Sequence, residues 1–251
     1  MSRTPAHTPI RTVERLPSDE SRVALDKSSQ LLRLLHLASP ALPIGGFHFS
    51  QGLEYAVECG WVKDEASALD WIGGILESSV ATLDLPVLLR LHGAWNQNDY
   101  LAVHRWNALL LASRETQEFR AEDRHLGAAL LRVLAEFQLI PEIFAGRTLA
   151  PPGVSHAAAF TFACARWGID GPSSAVTYAW AWAENQVLAA VKLVPLGQSA
   201  GQRLLHALIP RLGAYSARAA DALDDDIGIS TALNSIASGR HETQYTRLFR
   251  S

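Results

Sequence analysis

Apolar residues recur every three or four positions along most of the chain, whereas the strict alternation typical of half-buried strands is scarce. The segments SSQLLRLLHLAS and KDEASALDWIGGILESSVATL both show this spacing, and the second begins with acidic residues that suit a helix N-terminus. Asn, Pro and Gly residues separate such segments. The pattern therefore predicts an all-α fold, a single helical-bundle-like domain of about ten helices.

The most apolar segment, AVTYAWAWAENQVLAAVKLV, lies in the second half of the chain. Polar residues from Glu184 to Lys192 interrupt it, which argues against a membrane span and for a buried helix. Pro172 fits the first turn of this helix, and Pro195 fits its end. Upstream of it, PEIFAGRTLAPPGVS is predicted to be the longest interior connection.

Helical spacing resumes in FHFSQGLEYAVECG, after the turn-rich connector SPALPIGGF. Phe49, Leu53 and Val57 recur at i, i+4 and i+8, which predicts one apolar helix face. The same spacing puts Glu54 on the opposite, polar face. We therefore expect its carboxylate to face solvent or a partner.

The first residues, MSRTPAHTPIRTVERLPSDESR, are rich in Pro, Ser, Thr and Arg and lack the apolar core of a secretory signal. This composition predicts a disordered leader over residues 1–27. An all-α domain over residues 28–239 and a C-terminal tail over residues 240–251 complete the predicted organisation.

Composition narrows the class of protein. A chain of 251 residues with 48% hydrophobic composition can bury a sizeable core and lies near the upper limit for one domain. Its net charge of -3 argues against general nucleic-acid binding, which needs a basic surface. Cys59 and Cys164 lie far apart and form no CxxC pair, so a cytoplasmic location is the simplest interpretation.

Motifs of catalysis are absent from the sequence. The chain has no GxxxxGK[ST] phosphate loop and no GxSxG nucleophile motif. Its nine histidines show neither HExxH nor HxxxH spacing, which would put two imidazoles on one helix face. These absences leave catalysis and stable metal binding by histidine unsupported, so the motifs point to no catalytic residue, metal site or cofactor of its own.

One acidic run is the best enzyme-like feature. It consists of Asp221, Asp224, Asp225 and Asp226. On a helix, carboxylates at i, i+3 and i+4 could hold Mg²⁺, as in helical isoprenoid-processing enzymes. Such enzymes need a second acidic cluster, which the sequence lacks, so a solvated helix end is the simpler interpretation.

The C-terminal segment RHETQYTRLFRS combines arginines with aromatic and aliphatic residues. If it is helical, Tyr245, Leu248 and Phe249 share one face. Such a stripe suits a helix laid in a partner's groove, and arginine and aromatic residues are typical of binding hot spots. It also suits a helix docked on the chain's own core, and spacing alone does not separate the two.

Three segments together resemble the UreF family of urease accessory proteins. They are LLHLASPALPIGGFHFSQGLEYAVECGWV, AAVKLVPLGQSAGQRLL and SGRHETQYTRLFRS. The similarity runs from about Leu31 to the C-terminus, and the two ends are its most specific part.

The resemblance implies a non-catalytic, all-α scaffold that is commonly a homodimer. Proteins of this family join a UreD (or UreH) partner and the GTPase UreG, and the assembly delivers nickel to apo-urease. Under this interpretation GTP is handled by UreG and nickel by the whole complex, and neither nucleic acid nor membrane is a partner.

The resemblance also suggests partner-binding residues in three segments. In the tail they are Arg240, His241, Glu242, Gln244, Tyr245, Arg247, Leu248, Phe249 and Arg250. In the loop they are Gly45, Gly46, Ser50, Gln51 and Glu54. In the third segment they are Lys192 and Gln198. The family pattern places the tail against the UreD-type partner and Lys192 on the surface facing UreG. His48 stands where family members often have a small polar residue.

Alternatives remain open at this point. A tail docked on its own chain is the minority interpretation once the resemblance is considered, and a tail that becomes ordered on partner binding is a third. An arginine of the tail (Arg240, Arg247 or Arg250) could instead act on UreG as an arginine finger, making the chain a GTPase-activating regulator. Lys192 could simply extend its ammonium to water from an apolar helix.

Overall fold

The computed structural model describes residues 26–139, 153–228 and 232–251. In chain order the α-helices are α1 (Lys27–Ala38), α2 (Leu53–Glu58), α3 (Glu65–Ile75), α4 (Leu85–Gln97), α5 (Tyr100–Ala112), α6 (Gln117–Glu136), α7 (His156–Arg166), α8 (Gly171–Leu193), α9 (Gln198–Arg218) and α10 (Ala232–His241). No strand occurs in these three ranges. The prediction of an all-α fold with about ten helices is confirmed.

Capping residues fix where several helices begin. The Asp64 carboxylate accepts a hydrogen bond from the backbone N–H of Ser67 at 2.9 Å. The Ser67 hydroxyl in turn accepts one from the backbone N–H of Asp64, so α3 begins with a full capping box. Asp170 caps α8 in the same position, with Pro172 in the first turn as predicted. The helix ends at Leu193, two residues before Pro195.

A π-helical segment, Leu76–Asp84, joins α3 to α4 without a break. The continuous stretch from Glu65 to Gln97 is long and apolar enough to span a membrane by length and composition, but 67% of its most apolar part is buried inside the protein. A core helix of a soluble protein has the same character. Asp84, the last residue of this segment, is buried, and its carboxylate pairs with Arg114.

The core is built around α7 and α8. Every residue of α7 from Ala157 to Ala165 is buried, and α8 packs against α9, α1 and α4. Small residues allow close approach: a Cβ added at Gly127 of α6 would lie 2.1 Å from the carbonyl oxygen of Val154. The small residue at position 127 therefore lets α6 approach the start of α7 closely, and large side chains such as Phe160 fill the core beside it.

The predicted helix from Phe49 begins later than expected. The segment from Phe49 is not helical until Leu53, because Gln51 (φ 53°) and Gly52 (φ 81°) adopt left-handed backbone conformations. Phe49 therefore does not continue the face of α2. The predicted leader, and most of the long connection before α7, lie outside the described residues.

The acidic run does not form one helix face either. Two separate 3₁₀ turns, Ala219–Asp221 and Asp224–Asp226, hold its carboxylates, and extended residues between them break the helical spacing. Asp224 pairs with Arg90 at 2.9 Å. Among the residues of the three described ranges, no group of three His, Cys, Asp or Glu side chains could hold a metal ion. The Mg²⁺-dependent enzyme interpretation is therefore wrong at this cluster.

Candidate functional site

The tail is not a helix beyond His241, where α10 ends. Residues 242–251 instead form turns that run back across the protein. Phe249 is 6% exposed, whereas Leu248 is 67% exposed and Tyr245 is fully exposed, so the predicted common face of these residues does not exist. The tail docks on its own chain, which is the interpretation that the sequence had placed in the minority.

Glu54, at the start of α2, is the centre of this docking. Its carboxylate accepts the backbone N–H groups of Leu248 at 2.6 Å and Phe249 at 2.9 Å. His241 Nε2 lies 3.0 Å from the same carboxylate. Helical spacing predicted that Glu54 would face solvent or a partner. Instead it is buried, because the tail of its own chain covers it and supplies the donors that a buried carboxylate requires.

A second set of contacts fixes Ser251. Its backbone oxygen accepts the N–H of Ser50 at 2.6 Å and the N–H of Gln51 at 3.1 Å. The Ser50 hydroxyl donates to the same oxygen at 2.5 Å. Arg250 N–H also donates to the carbonyl oxygen of His48 at 2.7 Å. We call the contacts of residues 48–54 with residues 241–251 the clasp.

Helix α6 forms the floor of the clasp through two glutamates. Glu122 accepts the Ser251 hydroxyl at 2.9 Å and Gln51 Nε2 at 2.8 Å, and burial raises its pKa to about 7. Glu118 bonds to His241 Nδ1 at 2.8 Å and accepts Nη1 of Arg247 at 3.0 Å. Burial raises the pKa of Glu118 as well, against the lowering effect of these donors.

The approach of α10 to α2 depends on Gly52. A Cβ at this position would lie 3.0 Å from the backbone nitrogen of Ser238 and 3.1 Å from Cβ of Ala237. Its φ of 81° also favours glycine. The Ser238 hydroxyl meets the hydroxyl of Thr116 at 2.7 Å, so α10 is tied to the start of α6 on its other side.

The third predicted segment meets the other two at Lys192. Its ammonium lies 5.8 Å from the ring centre of Phe47 and 5.6 Å from that of Phe249, one in the loop and one in the tail. The structure thus brings the tail, the loop and Lys192 together. Gln198 differs, since it begins α9 as an exposed residue. Among the described residues, Gln198 takes part in no hydrogen bond or ion pair with the tail.

The sequence analysis missed the groups that α6 and α8 contribute. Glu118 and Glu122 support the tail, Trp182 Nε1 donates to Gln51 Oε1 at 2.8 Å, and Asn185 Nδ2 donates to the Phe49 carbonyl at 3.2 Å. The i, i+4 spacing of the two glutamates was the available signal, and such pairs are common on exposed helix faces.

The outer side of the clasp, which is the solvent-facing surface of α10 and the tail, carries exposed apolar and cationic residues. Leu233 and Ile236 of α10 are about half exposed, and Arg240 follows them on the same helix face at i, i+3 and i+7. Tyr245 and Leu248 project into solvent from the tail. The tail therefore binds its own chain mainly through His241, Phe249 and Ser251, whereas Tyr245 and Leu248 face solvent.

Comparisons with known proteins identify the family of the chain. The UreF family model matches residues 62–209. A protein named "Urease accessory protein UreF" from Azoarcus sp. (strain BH72) is 49% identical over 227 residues, covering 88% of this chain and 95% of the relative. Proteins of the same name from Alkalilimnicola ehrlichii and Klebsiella pneumoniae (strain 342) are 47% and 46% identical, and cover 87% and 90% of this chain and 95% and 100% of the relatives. The chain belongs to the UreF family of urease accessory proteins, which are accessory proteins and not catalytic enzymes.

Proposed function

We propose that this chain is a scaffold that joins a UreD-type (or UreH) partner to the GTPase UreG, and that the assembly inserts nickel into apo-urease. The observation that carries the proposal is the outer side of the clasp. There, Tyr245 and Leu248 are exposed on a tail whose backbone is already held by Glu54. Apolar side chains on a fixed backbone can bind a partner without the cost of ordering the segment first.

The proposal gives each component one task. GTP belongs to UreG and nickel to the complex, so no cofactor is assigned to this chain. For the GTP state to control nickel release, the assembly must bind the nucleotide states of UreG with different affinities. Lys192 lies against Phe47 and Phe249, and we place the contact with UreG on this side of the clasp.

The test is complex formation with the cognate UreD-type partner, measured by size-exclusion chromatography with light scattering. The variant is Tyr245→Ala/Leu248→Ala, because both side chains are exposed and their loss leaves the clasp intact. We expect the complex to be lost or weakened by about tenfold or more. Tyr100→Ala/Leu101→Ala removes the same residue types from α5 and should leave the complex unchanged. Unchanged binding by the first variant would refute the proposed surface.

Truncation of the tail is a poorer test than these substitutions. A chain ending at Ser238 also loses His241, and it leaves Glu54 and Glu118 without their donors. Loss of the complex would then report damage to the fold as readily as loss of a contact.

An arginine finger is a second candidate, favoured by one observation. The guanidinium groups of Arg240 and Arg250 have no carboxylate partner within the described part of the chain, whereas Arg247 is paired with Glu118. Acceleration of GTP turnover by UreG that disappears with Arg240→Ala or Arg250→Ala would support a GTPase-activating role. Slower or unchanged turnover would favour the scaffold.

A homodimer in the cytoplasm completes the proposal. Cys59 and Cys164 are both free thiols, which agrees with a reducing compartment. Light scattering of the chain alone should give twice the mass of one chain.

A further inference from the structure

A partly enclosed cavity of about 130 Å³ lies between the end of α1, α6 and α8. Engineered cavities of about 150 Å³ in a protein core hold benzene, so this volume suits a ligand of about six non-hydrogen atoms. Apolar side chains from five parts of the chain form much of its wall, among them Leu37, Leu42, Leu83, Leu126 and Leu188. The apolar body of such a ligand would therefore be covered on several sides.

Carboxyl groups outnumber cations in the lining of the cavity. Asp84 and Asp123 share the guanidinium of Arg114, whose Nε lies 2.9 Å from Oδ2 of Asp123. One positive charge thus faces two negative ones. No other Arg or Lys of the described residues lines the cavity, whereas three further carboxyl groups do, those of Glu115, Glu122 and Glu184. The lining therefore favours a cation and disfavours an anion.

The buried carboxyl groups of the lining are incompletely compensated. Burial raises the pKa of Glu122 to about 7, and it also raises the pKa values of Asp84 and Glu184. Burial is the largest cause at each of the three, so the existing donors do not offset the loss of water. A cation that entered the cavity would favour the ionised carboxylates and would be bound more tightly for that reason.

Two further polar side chains at the cavity have no hydrogen-bond partner within the described ranges. Tyr178 of α8 is only 7% exposed, and its hydroxyl neither donates nor accepts a hydrogen bond there. Burial raises the pKa of this hydroxyl, and the charges of Asp84 and Asp123 raise it further, so the hydroxyl lies near the carboxylate pair. A buried hydroxyl without a partner favours a ligand that can supply one.

His156, at the start of α7, is the second of these side chains. Its ring centre lies 5.2 Å from that of Tyr178, and its side chain takes part in no hydrogen bond of the described residues. Burial lowers the pKa of His156 to about 4, so the imidazole is neutral at pH 7. A neutral imidazole has one nitrogen that accepts a hydrogen bond. Tyr178 and His156 together offer two acceptors to a donor in the cavity.

We propose that this cavity binds a small primary amine in its protonated form, with an apolar body of about five or six carbon atoms. The ammonium group donates to the Tyr178 hydroxyl and to His156 beside the carboxylates of Asp84 and Asp123, and the body contacts the leucines of the wall. An ammonium group has three donors and no acceptor, which matches this lining. The site goes beyond the scaffold role, because every group that forms it belongs to this chain.

A metal ion suits the cavity less well than an organic cation. Arg114 already occupies oxygens of Asp84 and Asp123. Within the three described ranges, no group of three His, Cys, Asp or Glu side chains could hold a metal ion. A hydrated ion would also place water against the leucines of the wall, which an apolar ligand body would instead cover.

The experiment compares three probes of similar size by isothermal titration calorimetry of the full chain at pH 7. They are cyclopentylamine, cyclopentanol and cyclopentanecarboxylate, which carry a positive, a neutral and a negative polar group. We expect cyclopentylamine to bind about tenfold or more tightly than cyclopentanol, because its charge is attracted by the lining. The carboxylate should bind more weakly than either.

Tyr178→Phe tests the site itself, because it removes the hydroxyl and keeps the ring. We expect it to weaken the binding of cyclopentylamine by about fivefold or more. The matched control is Tyr215→Phe, the same change on α9 at a residue that does not line the cavity, and it should leave binding unchanged. Circular dichroism checks that both variants are folded. If Tyr178→Phe is not folded, Glu184→Gln replaces it and should weaken binding by about threefold.

Four results would overturn the inference. They are no binding of cyclopentylamine, equal affinities for the amine and the alcohol, equal losses in the test and control variants, and displacement of the amine by MgCl₂ at matched ionic strength. The last result would indicate a metal-ion site. Since the assay contains no partner protein, its outcome leaves the test of complex formation unaffected.

Discussion

The inner and outer sides of the tail use the same short segment in opposite ways. On the inner side, His241 and Phe249 are buried against the chain, and the backbone at positions 248 and 249 binds Glu54. On the outer side, Tyr245 and Leu248 touch mainly solvent. A motif that looks uniform in sequence thus divides into residues that hold the tail in place and residues that are available for a partner.

The largest effect is expected at Glu54, which holds the inner side of the tail. Glu54→Ala should lower the free energy of unfolding by about 2–4 kcal/mol, since it leaves Nε2 of His241 and two backbone N–H groups without their carboxylate partner. Urea denaturation measures the loss, and hydrogen exchange should show faster exchange of the amide protons at residues 248 and 249. Glu58→Ala, one turn later on α2 and exposed, should cost under about 0.5 kcal/mol.

If Glu54→Ala and Glu58→Ala prove equally mild, the tail does not depend on this carboxylate and the inner side of the clasp is misassigned.

A pH titration of stability tests Glu122, the buried glutamate of α6 beneath the clasp. The pKa of Glu122 is raised to about 7 in the folded protein, above its unfolded value, so the folded state binds its proton more tightly. Its contribution to stability is present at low pH and is lost as the pH rises through about 7. Between about pH 5 and about pH 8 this loss amounts to up to about 3 kcal/mol.

Glu122→Gln mimics the protonated carboxyl, and the Ser251 hydroxyl can rotate to suit it. We therefore expect the variant to gain stability relative to the natural chain as the pH rises, as measured by thermal unfolding at each pH. Glu136→Gln changes an exposed carboxylate at the end of the same helix and controls for loss of charge alone. A stability difference between Glu122→Gln and the natural chain that is constant with pH would contradict the raised pKa.

The smallest effect is expected on the outer side. Tyr245→Ala/Leu248→Ala should change the free energy of unfolding by under about 0.5 kcal/mol, because the lost side chains are exposed in the folded state. Urea denaturation of this variant beside Glu54→Ala gives the contrast between the two sides. A cost above about 1.5 kcal/mol would mean that these side chains also hold the tail.

The sequence was a good guide wherever structure follows from local chemistry. Asp64 and Pro172 marked helix starts, Leu193 ended its helix before Pro195, and the all-α class followed from apolar spacing. By resemblance it also singled out the loop, the tail and Lys192, but as contacts with different partners and not as neighbours of one another.

It failed where contacts are distant in the chain. Helical spacing placed Glu54 on a face open to solvent or a partner, but the tail of its own chain covers that face. The N–H donors that make burial of Glu54 tolerable come from residues almost two hundred positions later. No local pattern reports such a partner. For the same reason the spacing of the tail suited a helix face, whereas residues 242–251 form turns that are held by distant contacts.

The bond between Glu54 and Leu248 spans 194 positions, which has a consequence for how the protein is made. Joining two points so far apart in an unfolded chain costs about 4–5 kcal/mol of loop-closure entropy, so this bond gains little from forming early. Ribosomal synthesis also releases residue 54 long before residue 248 exists. We therefore expect the helices between them to fold first and the clasp to close last. A nascent chain would thus carry an open loop at residues 48–54 until residues 241–251 had been synthesised.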